Sequence, residues 1–144
     1  MSHHTAVLDG LAQLLHEKEM GVYNVDGVFT ADQRGIVVSA FPETPASIIS
    51  LAFYMPEYQR LNGRGRRLTA TRIQIRTRIP GHPLETVAVF DGLSQLIDQK
   101  HLQLGAVAAH GEFISAAQPT QSTAQSWEQT SNWRFTALEG LPTP

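Results

Sequence analysis

The segment Thr71 to Pro80, TRIQIRTRIP, constrains the fold most. Ile73, Ile75 and Ile79 share one parity, while Arg72, Gln74, Arg76 and Arg78 share the other. Side chains of a strand point alternately to opposite faces, so this stretch reads as a half-buried β-strand with an apolar inner face and a cationic outer one. A helix would scatter the isoleucines around its circumference.

The outer face raises a question of charge. Seven of the 11 Lys and Arg residues lie between positions 60 and 78, namely Arg60, Arg64, Arg66, Arg67, Arg72, Arg76 and Arg78, and no Asp or Glu interrupts them. The chain as a whole carries a formal charge of -2. A local cationic block in a slightly acidic chain points to a polyanion or to an acidic partner surface. Two plainer readings compete. Arginine stems cover apolar surface while their heads stay wet, and acids of the same or a neighbouring subunit can pair with the block.

Around this strand the periodicities alternate in kind. Thr5 to Met20 carries Val7, Leu8, Leu11, Leu14 and Leu15 at helical spacing, with Thr5 as expected N-cap and Gly21 as expected C′ residue. Leu84 to Leu102 is read as a second helix, with a stripe of Val89, Phe90, Leu93, Leu96 and Ile97. Gly10 and Gly92 count mildly against the two helices. Strands are expected at 35–39, 48–54, 71–80, 105–115, with a glycine bulge, and 127–138. GVYNVDGVFTADQRG, FPETP and AAQPTQSTAQS read as connections, and EYQRLNGRGRRLTA (57–70) as a basic loop or hairpin tip. The expected architecture is a single α+β domain over residues 1–144 with flexible ends. It has a mixed, mainly antiparallel sheet of about four to five strands, with two helices packed on one face.

Several chemistries find little support. With no cysteine, disulfides and thiolate sites are excluded. HEKEM has Met20 where a zincin needs its second histidine, and NGRGRR lacks both a Walker lysine and a strand-to-helix setting. Asp98 and His101, three apart on the expected helix, read as a solvated helix end, and His110 near Glu112 as a polar strand face. No stretch is long and apolar enough to cross a bilayer, and the N-terminus lacks the layout of a signal peptide. Aromatics near the block (Phe53, Tyr54, Tyr58, Trp127, Trp133) keep a second reading open: a small nucleic-acid-binding module built on the arginines.

Three segments taken together carry a family resemblance: GVYNVDGVFTADQRGIVVSAFPETPASIISLAFY (21–54), IQIRTRIPG with the helix after it (73–102), and SWEQTSNWRFTA (126–137). In this order the chain resembles the tail terminator (minor tail or minor capsid) proteins of long-tailed bacteriophages. The resemblance implies a non-enzymatic virion subunit without cofactor or metal. It implies a ring, usually a hexamer, that caps the tail tube, ends its polymerisation and meets the head-side connector, with genomic DNA passing through. The implied partners are further copies of the chain, the tail tube protein and the connector protein, with no membrane, and the implied location is the virion tail. The AAQPTQSTAQ segment departs from the shorter turn of that family. On this reading the seven arginines face either an acidic neighbour or the DNA path.

Overall fold

A computed structural model describes residues 2–24, 26–38, 40–54, 57–61, 66–123 and 125–140, with backbone alone for 57–61, 66 and 138–140. Its elements in chain order are α1 (His3–Glu17), β1 (Val22–Tyr23), β2 (Arg34–Val38), β3 (Ser47–Phe53), β4 (Glu57–Leu61), β5 (Arg66–Pro80), α2 (Pro83–Ile97), β6 (Lys100–Leu104), β7 (Val107–Ala116), β8 (Thr120–Thr123) and β9 (Ser126–Gly140). The strands form one sheet in the order β1-β2-β3-β5-β9-β7-β6, with β4 added on β5 and β8 on β9. The β1–β2 and β2–β3 pairs are parallel and all other pairs antiparallel.

The spine is the β5–β9 pair, 15 residues on each side, in unbroken register from Arg66↔Gly140 to Pro80↔Ser126. Odd-numbered residues of both strands face the helices. Thr69, Thr71, Ile73, Ile75, Thr77 and Ile79 are buried on β5, and Ser131, Trp133, Phe135 and Ala137 on β9. Val7, Leu8, Leu11 and Leu15 of α1 and Val89, Leu93 and Ile97 of α2 join the same core. Both helices therefore cover one face, as their sequence stripes predict. Trp133 is fully buried, and its indole N–H donates to Ser131 Oγ at 2.8 Å, so this donor is paired inside the core.

The α+β class holds, but four to five strands is too few. The sheet has nine among the described residues. The additional strands are short or polar, such as the two residues of β1 and the fully exposed TQST of β8, and owe their extended form to a neighbour's edge. Residues 57–70 are largely the two arms of a hairpin, with Glu57 to Leu61 pairing with Ala70 to Arg66. The expected boundaries at the helix ends also shift. Ser2, not Thr5, caps α1, its Oγ accepting from the Thr5 N–H, and Glu19 rather than Gly21 takes the left-handed position after it. The second helix stops at Ile97, not Leu102. Gln99 adopts φ 58° and the chain reverses into β6. Leu102, which falls off the helical stripe, is the residue that marks the change.

Two glycines mark close approaches. A Cβ on Gly10 would lie within 2.8 Å of the Leu104 Cα and closer still to its carbonyl, so α1 lies directly on the end of β6. A Cβ on Gly111 would meet the Ile97 carbonyl at 2.6 Å. The expected glycine bulge in β7 lies instead between Phe113 and Ser115. At Gly92 a Cβ would meet only the flexible Met20 side chain, at 3.3 Å.

These packings predict opposite outcomes for one kind of substitution. Gly10→Ala should lower stability by about 1–3 kcal/mol, because backbone must move. Gly92→Ala should be neutral or stabilising by up to about 1 kcal/mol through helix propensity. Urea denaturation of the two variants beside the parent chain measures both.

Candidate functional site: the outer face of the sheet

Even-numbered residues of β5 and β9 form the face away from the helices. β2 and β3 run parallel, yet only eight residues (39–46) join them. Parallel neighbours ordinarily need a crossover of about a dozen residues, usually helical. Here the return is an irregular strap, and its described part, 40–46, lies across the outer face. Such a strap exposes carbonyls that no ladder satisfies.

Arg78 supplies the missing donors. Its guanidinium donates to the carbonyl oxygens of Pro42 (2.6 Å), Glu43 (2.9 Å), Pro45 (2.9 Å) and Ala46 (3.1 Å). The Phe41 ring lies under two cations, 4.2 Å from Arg76 Cζ and 5.0 Å from Arg78 Cζ, within cation–π range. Ser50 Oγ donates to the Ala40 carbonyl at 2.6 Å, and Ile48, also on this face, is fully buried. The strap thus has an apolar floor and a cationic clasp. Lysine could not replace the clasp, since reaching several carbonyls at once uses the planar fork of guanidinium.

The remaining outer cations have different surroundings. Arg76, 45% exposed, pairs with Glu128 of β9 at 3.4 Å. Arg72 stands opposite Arg134 in the β5–β9 register, and Arg134 forms a short ion pair with Glu112 of β7. Like charges directly opposite are unfavourable, and Glu112 offsets this one. Arg67 is on the odd parity of β5, the opposite face from Arg72, Arg76 and Arg78. Arg60 is its register partner on β4. The side chains of Arg60 and Arg66 and the whole of Arg64 lie outside the described residues. The structure therefore brings together Arg72, Arg76 and Arg78 of the predicted seven, adds Arg134, and sets Arg67 apart.

Other sequence candidates resolve into structural roles. His16 Nδ1 accepts from the Tyr23 N–H (2.9 Å), tying β1 to α1. Tyr23 also donates its hydroxyl to Asp9, and burial, followed by that carboxylate's hydrogen bond and charge, raises the phenol above its ordinary range. Asp98 does not meet His101 along a helix, because the helix has ended. Its carboxylate accepts from the Phe113 N–H at the bulge (2.9 Å), and His101 stands in β6 opposite His110. Among the described residues no group of three or more His, Asp or Glu side chains is arranged to hold a metal. Arg134 and Phe41 escaped the sequence reading, and Glu112, expected as a possible partner of the seven arginines, pairs with Arg134 instead, since contacts across β7, β9 and the strap join residues far apart in the chain.

No family model matches the chain, and no curated protein matches it. Among solved structures, the chain is similar to one in the virion of a native gene transfer agent particle. That likeness has a TM-score of 0.52 at 12% sequence identity and covers 73% of this chain and 78% of that one. It is a likeness of fold.

The clasp gives an ordering of effects. Arg78→Ala should cost about 1–3 kcal/mol, because it strands strap carbonyls that bonded a charged donor, and Arg78→Lys should recover less than half of that. Arg76→Ala, which removes a largely exposed pair, should cost under about 1 kcal/mol. Chemical denaturation of the three variants tests the order.

Proposed function

We propose that this chain is a structural, non-enzymatic protein of a phage-type virion: a single-domain subunit, without cofactor, that forms a ring at the end of the tail tube, stops its growth and joins it to the head-side connector. The observation that carries the reading is the shared fold with a gene transfer agent virion chain over most of both lengths. The segment order resembling tail terminators points the same way, and from it comes the finer assignment: a hexamer, located in the tail, with further copies of itself, the tube protein and the connector as partners.

The surface supports protein contacts. Phe53 and Tyr54, at the end of β3, are 43% and 48% exposed, adjoining apolar groups of a kind that lone soluble domains leave sparingly uncovered. The ring geometry requires a heterologous interface whose rotation closes, so subunits purified alone should associate in a concentration-dependent way.

The nucleic-acid reading is not favoured. Glu112 and Glu128 are interleaved with the outer arginines, and Arg78 is engaged by its own strap. A phosphate chain would have to displace two carboxylates to track this face. Passage of DNA through a ring needs no such tight binding.

Sedimentation velocity over a range of concentrations, with negative-stain microscopy of the largest species, tests the proposal. Rings with a central hole, and binding to purified tail tubes, are the expected results. Arg76→Glu should weaken tube or ring association while leaving the subunit folded. A monomer at every concentration that ignores tubes, yet binds oligonucleotides with a steep loss of affinity as salt rises, would replace this reading with the nucleic-acid one.

A further inference from the structure

Away from the strap, the β6–β7 end of the outer face carries a shallow groove of about 420 Å³, lined by His101, Gln103, His110 and Thr136 among others. His101 and His110 are Cα partners in the antiparallel register, and their ring centroids are 5.2 Å apart with the planes inclined at 55°. Neither imidazole has a hydrogen-bond partner among the described residues, so both rings keep a nitrogen available. Leu102, Ala108 and Ala109 also line the groove, and the two imidazoles are the metal-ligating side chains in it.

We infer that His101 and His110 form a two-imidazole site for a late first-row divalent cation, Zn²⁺ in particular. The donor chemistry makes the choice, and the ring spacing is compatible with it. A Zn–N bond of about 2.0–2.1 Å puts each ring centroid roughly 3.2 Å from the metal, so rings spaced as these are subtend roughly 110° there, close to tetrahedral. A square-planar ion with adjacent imidazoles would draw the centroids to roughly 4.5 Å, and a linear pair would spread them beyond about 6 Å. Neutral imidazole suits the borderline ions of this series and not Mg²⁺ or Ca²⁺, which take oxygen donors. Two positions stay open on the metal, facing the solvent side of β6, the last strand of the sheet path. Water fills them in a lone chain. The site is independent of the ring proposal, since both ligands belong to one chain.

The test is a Zn²⁺ titration of the full chain by calorimetry, with His101→Gln, His110→Gln and His3→Gln prepared alongside. His3 and His4 are the other adjacent ring pair, 5.6 Å apart, so His3→Gln controls for binding there. Two linked ligands exceed one by about 10²-fold or more, so either cross-strand variant should weaken Zn²⁺ by that factor, and His3→Gln should leave it unchanged. ¹⁵N–¹H spectra of the imidazoles should show His101 and His110 shifting together at one equivalent. Melting without metal should be the same for the parent and both cross-strand variants, and Zn²⁺ should raise only the parent's midpoint. Equal affinity in parent and cross-strand variants, loss confined to His3→Gln, or two rings that shift independently would each overturn the assignment.

Discussion

The register of β5 against β9 is the constraint on which the rest depends. Fifteen consecutive residues on each strand are paired without a bulge. Parity along this ribbon decides which side chains meet α1 and α2 and which meet the strap. A slip of one residue would put Ile73, Ile75, Trp133 and Phe135 on the open face and drive Arg72, Arg76 and Arg78 under the helices. Fully burying one large apolar side chain is worth about 1.5–3 kcal/mol, and burying an unpaired cation costs more than that. The two penalties act together, so the arginines specify the register as firmly as the isoleucines do.

Three of the outer arginines have acceptors of their own, which offsets their mutual repulsion. Arg78 is taken up by peptide carbonyls of the strap, Arg76 by Glu128 and the Phe41 ring, and Arg134 by Glu112. This arrangement follows from an unusual connection. A short parallel return cannot satisfy its own backbone, and a buried carbonyl without a donor costs about 1–3 kcal/mol. A guanidinium, with five N–H groups in a fixed fork, answers several such carbonyls from one position. The local absence of acids in the sequence around 60–78 therefore does not mean that the outer face is unmatched. The matching groups arrive from β7, β9 and the strap.

How much of this was legible depends on whether the signal was local. The alternation of TRIQIRTRIP and the stripes of both helices are local patterns, and the structure follows them residue by residue: isoleucines inward, three arginines outward, helices on one face. The short strands carried no such pattern. TQST has nothing apolar to alternate, and KHLQL continues an apolar helix closely enough that only Leu102, out of phase, betrays the turn at Gln99. The neighbourhoods of His101 and Glu112 were hidden for the same reason, because cross-strand partners are set by a fold and not by spacing. The seven arginines read as one block in sequence divide in space by parity, with Arg67 on one side and Arg72, Arg76 and Arg78 on the other.

That division bears on what an assembly could draw from this surface. Among the described outer-face residues of β5, β7 and β9, four guanidiniums stand against two carboxylates, and one of the four is enclosed by the strap. At the described outer face, the field that the sequence suggests is largely consumed within the subunit. What remains available at the outer face is a stiff, polar, shape-defined surface: hydrogen-bonding Gln74, Asn132 and Thr136 between anchored charges, on a ribbon that the register holds fixed. Desolvating charges that are already paired gains little, since the partner surface must beat internal bonds already made. Association through such a face should therefore rest on geometric fit and on apolar groups near its ends more than on long-range attraction, and ionic strength should alter its rate more than its equilibrium.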